Sequence, residues 1–132
     1  MNQVILHGII GVAPELRAVS DTFNVCSISL ATKDGKNDKD GKWVETTDWH
    51  KVDLLGKSAE NFVKVCGKGD TVLIVGRLKT DTWEDKKDGT KKSFTKVLCD
   101  RWTLAHKKYT ETKEKEQIEL DEQIELDDDD LF

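Results

Sequence analysis

Residues 47–76 read TDWHKVDLLGKSAENFVKVCGKGDTVLIVG, and this stretch decides the fold because its hydrophobic period changes twice. From Trp43 to Leu55 the period is two. The even positions include Val44, Val52 and Leu54, a core face, and the odd ones include Thr47, Trp49, Lys51 and Leu55. Successive side chains of a strand point to opposite faces, so Trp49, Lys51 and Leu55 stand together on the side away from that core. Across Ser58–Cys66 the period lengthens: Ala59, Phe62, Val63 and Cys66 follow the i, i+3, i+4, i+7 spacing of an amphipathic helix. Ser58 reads as its N-cap and Gly67 as its stop. Strand character returns at Thr71, runs through Val72, Leu73, Ile74 and Val75, and reaches Trp83, with Arg77, Lys79 and Trp83 on one face.

Outward from this segment the chain is short strands and polar turns. Val4-Ile5-Leu6 is an apolar run closed by Gly8; it builds either the core or a sheet between subunits. Phe23–Thr32 alternates, with Cys26, Ile28 and Leu30 on one side and Ser27 and Ser29 on the other. Asp34–Lys42 is wholly polar with two Asp-Gly pairs and is expected to be a long mobile hairpin loop. Glu84–Lys92 is a charged turn around Asp-Gly, and Ser93–Leu104 is a last strand. Three strand regions, one helix and two more strand regions predict an all-β chain of the OB-fold type, a five-stranded barrel with one short helix.

The 132 residues suit one domain and a short appendage, and their charge is split between the two. Residues 1–108 carry 19 Lys and Arg against 15 Asp and Glu, whereas residues 109–132 carry 2 against 11. A mildly basic body, the binding domain, is thus followed by an acidic tail, an asymmetry that suggests a nucleic-acid partner. In the tail EQIELD at 116–121 recurs at 122–127, too few copies for a solenoid. Its charge density predicts disorder. The end, Asp127, Asp128, Asp129, Asp130, Leu131 and Phe132, has the makings of a partner-docking peptide, being acidic and then apolar. No apolar run approaches a membrane span, and the N-terminus shows no signal-peptide pattern. Three widely spaced cysteines, Cys26, Cys66 and Cys99, fit small buried hydrophobes in a reducing compartment, so a cytoplasmic protein is expected.

Binding single-stranded nucleic acid asks for cations that follow the backbone and aromatic faces for unstacked bases. Trp49 stands beside His50 and on one face with Lys51, and Trp83 lies beyond Arg77 and Lys79 beside a Lys-rich turn. Both fall opposite the better apolar faces of their strands, so these two are read as stacking platforms. Trp43, at the end of a Lys-rich loop, is open between contact and packing. Trp102, late in the last strand, is read as packing. No GxxxxGK(S/T) or HExxH motif occurs, and the cysteines lack the close pairing of a zinc site. No enzyme activity, cofactor or metal is expected.

The stretches NQVILHGIIGVAPELR at 2–17, SLAT at 29–32, TDWHKVDLLGKSAE at 47–60 and KGDTVLIVGRLKTDTWED at 68–85 together resemble the bacterial single-stranded DNA-binding protein family. The likeness runs from Asn2 to about Leu104 and resumes at the acidic tip. It implies an OB-fold assembled as a homotetramer through strand contacts and wrapping single-stranded DNA. It also implies a tip that docks replication, recombination and repair proteins. Trp49 and Trp83 coincide with stacking positions of the family. His50, Lys51, Lys57, Lys68, Lys79 and Lys92 fall at or near its DNA-contacting positions. The chain departs from the pattern at Leu55, where the family carries Phe, and at Gly35-Lys36, where it carries a hairpin Trp. Trp43 across that hairpin is a candidate replacement. Asp81 stands near a commonly basic position, and Leu131 replaces a Pro before the final Phe.

Overall fold

The structure is a computed structural model that describes residues 1–108. The expected disordered tail and the tip at Asp127–Phe132 lie outside the described residues. The elements are β1 (Val4–Ile10), β2 (Leu16–Ser20), β3 (Phe23–Asn37), β4 (Trp43–Leu55), α1 (Gly56–Val65), β5 (Thr71–Glu84) and β6 (Lys91–His106). Hydrogen-bonded neighbours run β1-β5-β6-β4-β3-β2, and β1 also meets β3 at Ile9–Ala31 and Ile10–Leu30. That second contact closes β1, β5, β6, β4 and β3 into the five-stranded barrel with one short helix that the order of elements predicts, an OB-fold. The ladders are antiparallel except β4–β6, which meet in parallel at Val52–Val97 and Asp53–Leu98. No described helix is long and apolar enough to cross a membrane.

The alternation that marks the strands fills the barrel. Cys26, Ile28 and Leu30 of β3, Val52 and Leu54 of β4, and Val72 and Ile74 of β5 are all buried. From α1 come Ala59 and Phe62, both fully buried. The Phe62 ring meets Trp102 edge to face with centroids 5.2 Å apart, a favoured aromatic geometry and the packing role expected of Trp102. Cys26, Cys66 and Cys99 are buried and free, and burial pushes the Cys66 and Cys99 thiols up to about 11. In β1 the alternation divides Val4-Ile5-Leu6: Val4 and Leu6 pack against the core while Ile5 stays 63% exposed.

One strand appears that the sequence did not signal, and three local expectations change. The strand is β2, which has no apolar alternation because all five of its residues are exposed, and its strand pairing among the described residues is with β3. The polar stretch Asp34–Lys42 is paired over its first four residues: β3 continues to Asn37, opposite Trp43, leaving residues 38–42 as the turn. Ladder hydrogen bonds do not require apolar side chains, so a polar ribbon leaves no hydropathy signature. Val44, read as core, is exposed because this ribbon projects beyond the barrel. Finally, α1 begins at Gly56, whose φ of +63° turns the chain straight out of β4; Leu55 caps it without a side-chain hydrogen bond, so Ser58 is not its N-cap. Its C-cap is Cys66, whose N–H donates to the Phe62 carbonyl at 2.8 Å, and not Gly67.

The turn from α1 to β5 is organised by Asp70, the one buried charged side chain among the described residues. Burial alone would raise its carboxyl. Backbone N–H donors of Gly67 and Lys108, each at 2.8 Å, and the Lys107 ammonium at 3.0 Å hold it below the usual carboxylate range instead. A buried charge with both oxygens hydrogen-bonded is the arrangement that lowers the cost of its desolvation. The same turn is tied to the end of β1, since Ile10 N–H donates to the Asp70 carbonyl and Gly69 N–H to the Ile10 carbonyl.

Candidate nucleic-acid interface

Two ribbons leave the barrel. One is β3–β4 beyond Thr32 and Asp48, and the other is β5–β6 beyond Arg77 and Leu98. Directly opposed residues of an antiparallel pair share a face. On β5–β6 the opposed pairs are Arg77–Leu98, Lys79–Lys96, Asp81–Phe94 and Trp83–Lys92. Val97 of the alternate set is buried in the core, so this set forms the outer face. On β4, Val52 faces Val97 inside the barrel, which puts Trp49, Lys51 and Asp53 outside. Lys96 reaches Asp53 at 2.8 Å and Asp81 at 3.2 Å, joining the outer faces of β4 and β5–β6 into one surface. Hydrogen bonds to Asp53 and Asp81 raise the Lys96 ammonium. Sequence reasoning missed Lys96, since nothing local to β6 shows that its carboxylate partners come from two other strands.

The tryptophans lie where period two puts them. Trp49 is 60% exposed and Trp83 48%, both on the outer surface. The six-membered ring of Trp49 lies over Gly11, where any Cβ would overlap it. Trp43 is 67% exposed, and its ring covers Gly35 across the hairpin, again filling the space of a Cβ. The missing aromatic of β3 and the Trp of β4 are therefore one arrangement: the glycine is the floor on which Trp43 rests.

The cations divide into groups. Lys51 donates to Ser29 Oγ at 2.8 Å beside Trp49. Lys79 is exposed and makes no ion pair with a described residue. Arg77 pairs with Asp100 at 2.6 Å and Lys92 with Asp85 at 2.8 Å. Exposed pairs of this kind are worth roughly 0–1 kcal/mol, so a phosphate competes for the same cations at little cost. The position near Asp81 is less acidic than the sequence implies, because Lys96 holds its carboxylate. His50 does not share the Trp49 face. Its Nε2 lies 2.7 Å from Thr32 Oγ1 on the other side of β4, yet it lines the cleft where β4 and β6 splay apart. Lys68 is exposed on the α1–β5 turn, next in sequence to Gly69, whose N–H donates to the carbonyl of Ile10. Lys57 stands apart, in the first turn of α1 beyond Leu55. Among the described residues no three His, Cys, Asp or Glu side chains gather as a metal site.

A closed five-stranded barrel, one short helix packed on it and two ribbons that hold tryptophans among cations define a protein of the OB-fold class. The single-strand binding protein family matches residues 1–117, and the chain belongs to that family. It is 38% identical over 99 residues to the single-stranded DNA-binding protein 1 of Chlorobaculum tepidum, covering 75% of this chain and 61% of that one. A deletion mutant of the single-stranded DNA binding protein from Thermus aquaticus has a similar structure, with a TM-score of 0.70 and 31% identity over 80% of this chain and 51% of that one. The fold is also that of the Plasmodium falciparum SSB in complex with ssDNA, with a TM-score of 0.68 and 23% identity over 82% of this chain and 96% of that one. The chain thus spans between half and two thirds of the length of the first two.

Proposed function

We propose that this protein binds single-stranded DNA without strong sequence preference and protects it during replication, recombination and repair, as a binding protein and not an enzyme. The observation that carries the reading is that Trp49 and Trp83 present exposed rings on one outer surface, next to Lys51, Lys79, Lys92 and Arg77. Every base has a π-face, so stacking on such rings tolerates any sequence. Trp43, His50 and Lys68 extend the contact in this proposal, and Lys57 is its most remote member. Family membership supports the choice of ligand.

Oligo-dT should quench the tryptophan fluorescence of the protein, and affinity should fall steeply with added salt as condensed counterions are released. Absence of both quenching and binding at low salt would sink the reading.

We further propose a cytoplasmic homotetramer whose residues 127–132 dock replication, recombination and repair proteins. Support for assembly comes from β1. Among the described residues, its residues 4–8 pair with β5 alone, since β3 meets β1 only at Ile9 and Ile10. An unpaired edge bearing exposed Ile5 is a template for another strand. Support for the tip is its sequence, four aspartates followed by Leu131-Phe132. Light scattering should give about fourfold the 15.0 kDa chain mass. A protein ending at Leu126 should keep that mass and its DNA affinity but no longer co-elute with such an enzyme. A monomer mass, or unchanged co-elution, would overturn the corresponding half.

A further inference from the structure

Phe94 is an exposed ring on the ligand face that neither its strand nor the barrel uses. It is 46% exposed, and its position opposite Asp81 puts it on the outer face of β6. Period two sets Lys92 and Lys96 on either side of it on that face. The one close ring pair among the described residues is Phe62–Trp102, so Phe94 stacks on no other ring. Polar residues are the usual occupants of an outer strand face, and an aromatic left half in water there has apolar area still to bury.

Its surroundings say what would cover it. On one side, Trp83 is opposite Lys92 and is therefore the diagonal cross-strand neighbour of Phe94, a separation of roughly 7–8 Å. On the other, Phe94 lines the cleft between β4 and β6 together with Trp49, His50, Lys51 and Lys96. Three exposed rings thus run from the β5–β6 ribbon across to β4, with lysines at each step. The acidic side chains along this path, Asp81 and Asp53, are both held by Lys96. An apolar protein segment would cover the rings but bring no anion to Lys51, which holds only the Ser29 hydroxyl, or to Lys92, whose carboxylate partner Asp85 is an exposed pair that a phosphate can replace. An unpaired base joined to phosphates satisfies both.

We propose that Phe94 is a third base-stacking platform, which carries a single strand across the cleft from Trp83 to Trp49. This rests on the single-strand reading given above. Phe94→Ala should raise the dissociation constant for oligo-dT roughly five- to a hundredfold, the effect of one lost stacking contact. Phe94→Leu, which keeps an apolar side chain without a π-face, should lose as much, and Phe94→Tyr should stay within about twofold of the parent. Irradiation with an oligonucleotide carrying 5-iododeoxyuridine should cross-link residues 93–96, the tryptic peptide that contains Phe94. Parent-like affinity in Phe94→Ala or Phe94→Leu, or no cross-link in this peptide, would overturn the assignment while leaving the single-strand reading intact. So would a Phe94→Ala protein that keeps its DNA affinity but changes mass in light scattering, since the ring would then belong to a contact between subunits. Failure of the parent protein to bind at low salt would instead remove the reading on which the inference stands.

Discussion

Replacing Trp49 and Trp83 together with alanine is expected to leave a folded barrel that scarcely binds oligo-dT. Each ring offers one stacking face, worth roughly 1–3 kcal/mol by alanine substitution. The two sit on different strands, Trp49 on β4 and Trp83 near the end of β5, so their losses should nearly add. The pair then accounts for about 2–6 kcal/mol, a loss of roughly thirtyfold to twenty-thousandfold in affinity. Stability should change little, because both rings are exposed and neither vacates a cavity. Trp49 has the larger structural part, since its ring shields the backbone at Gly11. Exposed positions of this kind usually cost about 0.5 kcal/mol or less, so the effects on folding and on binding are separable. Anisotropy of a labelled oligonucleotide is the measurement of choice, as Trp43 and Trp102 would still contribute fluorescence. Trp49→Phe with Trp83→Phe should restore most of the binding, because a π-face returns. A double alanine protein with parent-like affinity would mean that cations alone hold the strand.

How much of this was legible in the sequence follows from where hydropathy carries information. Inside the barrel one face of each strand is buried, so the alternation of Cys26, Ile28 and Leu30, or of Val52 and Leu54, was visible as a pattern, and the order of elements with it. The change to helical spacing over Ala59 and Phe62 was equally plain. The ribbons and β2 lie outside the barrel, where neither face is buried, and there the pattern vanishes. For that reason Asp34–Asn37 looked like loop, β2 was not found, and Val44 looked like core. The helix start was misplaced because capping chemistry was sought in Ser58, whereas the left-handed turn at Gly56 starts the helix. At the candidate site, side-chain parity along single strands placed Trp49 with Lys51, and Trp83 with Arg77 and Lys79. It could not place Lys96 and Phe94 with them, nor Lys96 between Asp53 and Asp81, since those meetings depend on the register between β4, β5 and β6. His50 shows the converse: adjacency to Trp49 in sequence puts it on the opposite face of the same strand.

Phe62→Ala should be the most destabilising substitution in the domain and yet leave the affinity of the folded protein nearly unchanged. The helix α1 has ten residues and no side-chain hydrogen bond at its N-cap, too short to persist by its own propensity. It is held by what it buries, and Phe62 is the largest fully buried side chain of the described residues. Truncation removes the transfer energy of the ring and leaves a cavity against Trp102, together about 3–5 kcal/mol. Domains of this size are stable by about 5–15 kcal/mol, so the variant would sit close to unfolding. Urea unfolding should show the loss as a lower midpoint with an unchanged slope. Near-ultraviolet circular dichroism should report it at Trp102, whose edge-to-face partner is gone. Phe62→Leu, which returns most of the apolar volume, should recover more than half of the stability. The proposed binding surface lies on the outer faces of the ribbons, whereas Phe62 is packed in the core of the barrel, so the folded fraction should bind oligo-dT as the parent does. That outcome is the mirror image of the double tryptophan variant: one loses stability and keeps affinity, the other the reverse. A Phe62→Ala protein that unfolds like the parent would show that α1 is held by other contacts. One that folds but binds weakly would show that the helix and the ligand face are coupled through the barrel.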